Sequence, residues 1–151
     1  MSRSATKKGN FGQVTVGKIL VPVEGSMPSR RTVNFAVDLA SAMGTELTFI
    51  HVVQMRDMPV LIAEAENEIL EEEGQRILGA AVRAASARGV AAKAVLKKGH
   101  VVDQILRFAR IYKPDLIVIG SRGMSKVTGI LLGSVSQDIS RHAKCSVLIV
   151  R

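Results

Sequence analysis

Five short apolar runs punctuate the chain: Lys18–Val23 (KILVPV), Leu47–Val53 (LTFIHVV), Val90–Leu96, Asp115–Ile119 (DLIVI) and Ser146–Val150 (SVLIV). Their brevity and their β-branched content mark them as buried strands. Between them the apolar residues recur at steps of three and four. Val33, Ala36, Val37, Ala40 and Met43 form one such stripe, and Val102, Ile105, Leu106 and Ala109 another. This spacing places apolar side chains on one face of a helix. The pattern predicts helices over about Pro28–Met43, Glu64–Arg88, Val101–Tyr112 and Ser134–His142. Local chemistry agrees at their ends. Pro28 suits a first turn, with the Ser29 hydroxyl as cap, and Gly44 suits a helix C-terminus. The acids from Glu64 onward favour the positive end of the long helix, and Arg83 and Arg88 the other. Pro114 cannot continue the third helix.

Strands and helices therefore alternate throughout, which predicts a single α/β domain built on a parallel sheet with helices on both faces. At 151 residues the chain is one domain by length, with room for a sizeable core. Residues 1–17 are rich in Ser, Lys, Gly and Asn and are expected to form a flexible tail, leaving 18–151 as the domain.

Composition narrows the functional classes. Hydrophobic residues make up 47% of the chain and aromatics only 3%, so the core must be aliphatic. Trp is absent, which argues against the aromatic platforms that stack single-stranded nucleic acid. The formal net charge is +8. Six of the 13 acids lie between Glu64 and Glu73, so the remainder is more basic than the total suggests. No helix carries a concentrated Lys/Arg stripe, and the charge is read as solubility and attraction for phosphate ligands rather than a nucleic-acid surface. Cys145 is the only cysteine and precedes a β-branched run, as a small buried hydrophobe would. No apolar run reaches the ~18 residues of a membrane span. The basic N-terminus lacks the apolar segment of a secretory signal. A cytoplasmic location follows as the default.

One motif is a false lead. Gly12 to Lys18 matches most of a phosphate-loop pattern, but Ile19 replaces the hydroxyl residue, and a strand follows where a helix is required. The informative stretch is Asp115 to Ser136. A buried run ends at Gly120, Gly123 follows, and Gly133-Ser134 opens a helical pattern. Glycines allow main-chain N–H groups to approach a phosphate, and a helix start adds unpaired donors. The spacing Gly-x2-Gly-x9-Gly-Ser resembles the ATP-binding branch of the universal stress proteins, and the resemblance extends over the chain after the tail.

That resemblance implies a Rossmann-like five-stranded parallel sheet of order 3-2-1-4-5, with a ligand crevice between the first and fourth strands. It brings Pro22, Val23 and Glu24 to face Gly120, Ser121, Arg122 and Gly123. It places Gly120 and Gly123 along triphosphate and ribose, and Gly133, Ser134, Val135 and Ser136 around phosphates. Main-chain atoms at Val52 are implied to bind the adenine edge. Arg122 and Lys126 can neutralise phosphate charge. Glu24 stands where the family usually carries Asp, and it is the one acid in position to hold Mg²⁺ indirectly. Ser134 is expected to cap its helix, and Ser136 to offer a hydroxyl. His51, His100 and His142 show no metal spacing and are read as packing or surface residues.

The implied ligand is ATP, or ADP or AMP. The implied assembly is a homodimer through residues 146–150. No Gly-x-Ser-x-Gly elbow or placeable carboxylate pair is present, so at most weak ATP hydrolysis is expected. Two other classes stay open on the residues alone: a phosphoryl-transferring enzyme, and an interaction module in which the glycines are scaffold.

Overall fold

The computed structural model describes residues 15–55, 59–123 and 132–151. Its elements run β1 (Lys18–Pro22), α1 (Met27–Met43), β2 (Glu46–Val53), α2 (Val60–Ser86), β3 (Ala92–Lys98), α3 (Val101–Tyr112), β4 (Leu116–Gly120), α4 (Ser134–His142) and β5 (Ser146–Val150). All neighbouring strands are parallel and the sheet order is β3-β2-β1-β4-β5.

Period-two alternation divides the core. Ile19, Val21, Leu47, Phe49 and Val118 point to one face, where Val33, Ala36, Val37 and Ala40 of α1 and Leu78, Ala81 and Ala85 of α2 cover them. Leu20, Ile50, Val52, Ile117 and Ile119 point to the other, against Ile105 and Leu106 of α3 and Ile139 of α4. Burying a side chain of this size fully is worth about 1.5–3 kcal/mol, so the two layers supply most of the drive to fold. The faces follow from connection handedness. The chain first steps outward from β1 to β3, then returns past β1 to β4 and β5. Right-handed crossovers running in opposite directions put their helices on opposite faces. The direction changes between β1 and β4, so a crevice opens there at the carboxyl edge.

The starts of α2 and β3 depart most from expectation. α2 begins at Val60, directly after Pro59, so its first turn is apolar and the acids start one turn later. β3 begins at Ala92 rather than Val90. Val90 instead closes the helix end, donating its N–H to the Ala85 carbonyl, while Ala91 accepts from Leu47. Gly74 lets α2 approach the sheet closely: a Cβ there would lie 2.7 Å from both His51 Cδ2 and Leu96 Cδ1.

The start of β1 is pinned from a distance. Asp115 Oδ2 accepts hydrogen bonds from the N–H groups of Gly17 (2.8 Å) and Lys18 (2.9 Å). Lys18 thus opens a strand, and the phosphate-loop pattern ending there has no helix to serve. Cys145 is half-buried against the α3–α4 layer. Burial pushes its thiol up from the ordinary value, and the nearby Asp115 charge adds to this. The thiol is therefore a poor nucleophile at neutral pH. Among the described residues no helix is long and apolar enough to cross a membrane.

Candidate functional site

Two turns meet at the carboxyl edge between β1 and β4. The first carries Glu24, Gly25 and Ser26. Gly25 has φ +88°, a conformation that disfavours any side chain, and so turns the chain sharply from β1 into α1. Ser26, not Ser29, is the N-cap of α1, and its Oγ accepts from the Ser29 N–H at 3.2 Å. The Ser29 hydroxyl is taken by the Glu24 N–H at 3.1 Å. Ser26 Oγ also donates to Glu24 Oε1. The carboxylate is thereby fixed by one oxygen.

The second turn carries Gly120 to Gly123. A Cβ on Gly123 would come within 3.7 Å of Glu24 Oε2, so the glycine and the second carboxylate oxygen face one another across the crevice. Gly120 is tighter. A Cβ there would sit 2.9 Å from Thr32 Oγ1 and 3.2 Å from the Arg122 carbonyl oxygen. Gly133 is brought alongside by its N–H, which donates to the Ser121 carbonyl at 2.7 Å. A Cβ on Gly133 would lie 3.3 Å from that same oxygen. The Ser121 N–H in turn donates to Val150 at 2.7 Å. Glu24, Gly120, Ser121, Gly123 and Gly133 are thus gathered into one cradle of main chain with a single carboxylate on its rim.

Val23 and Val52 are buried, Val23 in the α1–α2 layer and Val52 in the α3–α4 layer, which leaves their side chains out of a ligand's reach, and the Val23 N–H is already donated to the Ile50 carbonyl at 2.9 Å. Pro22 ends β1 half-buried. Val135 packs its side chain against the α3–α4 layer. Lys126 lies outside the described residues. Arg122 is exposed and lines a pocket together with Pro28, Arg31, Ser121, Val150 and Arg151.

Two hydroxyls do not do what their positions suggested. Gly133 is the N-cap of α4, and no side chain caps the helix. Ser134 is the first helical residue and is exposed. Ser136 is buried, and its hydroxyl lies within bonding distance of the carbonyls of Gly133 (2.9 Å) and Ser121 (3.2 Å). It closes the cradle from behind and is not offered to a ligand. Ser134→Ala is therefore expected to melt within about 1 °C of the wild type, because no capping bond of the usual ~1 kcal/mol is lost. A loss of that size in thermal unfolding would return Ser134 to the cap.

Sequence reasoning missed Thr32 and gave His51 only a general packing or surface role. Thr32 sits one helical turn after Pro28, whose carbonyl its hydroxyl bonds at 3.0 Å, and nothing in the sequence singles it out. His51 Nδ1 lies 2.8 Å from the Val23 carbonyl oxygen. As a donor to that carbonyl it ties the end of β1 to β2 beside Glu24, a more specific packing role than its solitary position suggested. Among the described residues no group of three or more His, Cys, Asp or Glu could hold a metal.

The fold and the site together define a doubly wound α/β domain whose switch-point crevice is lined by glycine main chain and a helix start. The universal stress protein family model matches residues 15–151, and the chain belongs to that family. A universal stress protein of Bacillus subtilis, YxiE, is 35% identical over 146 residues, covering 89% of this chain and 98% of its own. The solved structure of UspA from Lactobacillus plantarum superposes with a TM-score of 0.82 at 24% identity, covering 92% of this chain and all of its own. A universal stress protein crystallised in complex with cAMP superposes with a TM-score of 0.71 at 28% identity, covering 91% and 98% of the two chains.

Proposed function

We propose that this protein is an adenine-nucleotide-binding regulator acting in the cytoplasm during a stress response. It takes ATP, or ADP or AMP, at the crevice between β1 and β4 and passes the bound state to a partner. The observation that supports this most is the cradle of Gly120, Gly123 and Gly133, where side-chain-free main chain meets the start of α4. Phosphate oxygens suit such a place because unpaired N–H groups and the positive end of a helix both favour an anion. The family member crystallised with cAMP, at 28% identity, adds support for the adenine nucleotide class. Mass spectrometry of small molecules released from the freshly purified protein is expected to find an adenine nucleotide. Absence of any, together with no calorimetric binding of ATP, ADP or AMP, would refute the reading.

In this reading Gly120, Gly123, Gly133 and Ser134 hold the phosphates, Val52 contributes main-chain atoms toward the base, and Glu24, at the end of the Pro22–Val23 segment, faces the phosphates and ribose. A triphosphate brings negative charge toward the Glu24 carboxylate, and Mg²⁺ would offset it. Magnesium commonly binds through one or two carboxylates plus phosphate oxygens. Chelation with EDTA is therefore expected to weaken ATP binding in a calorimetric titration. Equal affinities with and without the chelator would remove the metal.

The assembly in this reading is a homodimer. β5 is an edge strand, and Val147, Leu148, Ile149 and Val150 are all half-buried on the two faces of the sheet. An edge of this composition leaves main-chain donors and acceptors open to a second copy. Light scattering at micromolar concentration is expected to give twice the 16.2 kDa of one chain. A purely monomeric mass would exclude the pairing.

A further inference from the structure

Beside the cradle, across the same turn, lies a pocket of about 270 Å³ lined by Pro28, Arg31, Ser121, Arg122, Val150 and Arg151. Three arginines line it from separate elements: the second turn of α1, the turn after β4 and the residue following β5. None of the three is ion-paired among the described residues. Ser121 is only 9% exposed. Its N–H is taken by Val150, and its carbonyl by Gly133 and Ser136, which leaves its hydroxyl without a partner among the described residues.

The arrangement is unfavourable unless something answers it. Like charges converging on one pocket repel. Arg31 also sits near the start of α1, whose first turn carries no acid, and a cation there opposes the helix dipole. A bound anion would relieve both penalties.

The pocket shares Ser121 with the cradle and otherwise draws on different residues. Gly123 faces the Glu24 carboxylate, whereas the preceding residue, Arg122, lines the pocket with α1 and β5. Val150 packs with the α1–α2 layer, while α4, which carries Ser134, lies against the opposite face.

We propose that this pocket is a second anion site, in which Arg31, Arg122 and Arg151 take a phosphate group with the Ser121 hydroxyl beside it. Guanidinium groups suit the role because each presents a planar fork of donors that matches phosphate oxygens. The phosphate has two possible sources: a free inorganic anion, or the distal phosphates of a nucleotide whose base and ribose lie in the crevice. Only the second source rests on the proposed nucleotide function.

The experiment is calorimetric titration of the full chain with inorganic pyrophosphate, AMP and ATP, comparing wild type with the Arg31→Gln/Arg151→Gln double variant. In the double variant, pyrophosphate or ATP is expected to bind at least about tenfold more weakly, with the charge-assisted bonds to two guanidinium groups gone. AMP should be unaffected. Weakened ATP identifies the nucleotide's distal phosphates as the occupant; weakened pyrophosphate with unchanged ATP identifies a free anion. Unchanged affinity of the variant for both, or no pyrophosphate binding by either protein with ATP unchanged, overturns the site. AMP failing to bind the wild type would instead sink the nucleotide function and leave the pyrophosphate comparison standing. Both arginines are exposed, so matched melting curves are expected. Should the double variant melt early, Arg151→Gln alone must show the same direction at smaller size, or the site is rejected.

Discussion

Gly123→Val is expected to weaken adenine-nucleotide binding by about a hundredfold, roughly 2.7 kcal/mol, while the protein melts at or slightly above the wild-type temperature. The two effects separate because of where the glycine stands. Its Cβ position is 3.7 Å from Glu24 Oε2, an ordinary contact, so the folded chain accepts the first carbon without strain. Its φ is not in the left-handed region, so valine meets no backbone penalty of that kind. Restricting the unfolded chain at this position even favours folding, by about 0.4–1 kcal/mol where the native backbone suits the new residue. The two methyl groups, however, enter the space between the turn and Glu24, which a ligand must use. Gly120→Val is the informative contrast. There the side chain would collide with Thr32 Oγ1 at 2.9 Å and main chain at 3.2 Å, so stability and binding should fall together. ATP calorimetry and thermal melting on both variants decide the matter. Wild-type affinity in Gly123→Val would mean that the phosphates do not lie between Gly123 and Glu24.

Phe49→Ala is the substitution expected to cost the fold most, about 3–5 kcal/mol. Phe49 is fully buried in β2 and pairs in register with Val21 of β1, beneath both α1 and α2. Truncation leaves a cavity that cannot be filled from either side, because strand pairing holds the backbone on two edges. Domains of this kind have total stabilities of about 5–15 kcal/mol, so the loss is a large fraction of the whole. At roughly 2–4 °C per kcal/mol for a chain of this length, the melting temperature should drop by about 10 °C. Phe49→Leu, which keeps most of the volume, should cost well under half of that. Chemical denaturation of the two variants measures the difference. A loss below 1 kcal/mol for the alanine would mean that the α1–α2 layer is not organised around this ring.

The legible parts of the molecule were those written in local pattern. Alternation in β1 separates Ile19 and Val21 from Leu20, and the structure sends them to opposite faces. The stripe of Val33, Ala36, Val37 and Ala40 is the buried face of α1. Element ends were less legible. Ser26 and Ser29 are both hydroxyl residues beside Pro28, and only the backbone of the Gly25 turn decides that Ser26 caps the helix and Ser29 serves Glu24. At α4 the sequence placed a hydroxyl where a cap belongs, yet Gly133 occupies the extended N-cap position, drawn there by its bond to the Ser121 carbonyl. Such choices depend on neighbours distant in sequence.

The strand order was implied only by the family resemblance that the glycine spacing carries. The number and type of elements and the two-faced parallel sheet, by contrast, were determined by the sequence taken alone. These are properties of short windows and of fixed spacings, where periodicity and backbone freedom act without long-range help. Tertiary structure alone decided which glycines are tight and which open, because that depends on Thr32 and Glu24 arriving from other elements. It decided that Ser136 turns inward, that His51 braces Val23, and that Arg122 lines a pocket shared with Arg31 and Arg151. In each case the partners are far apart along the chain, and only the order of the strands brings them within reach.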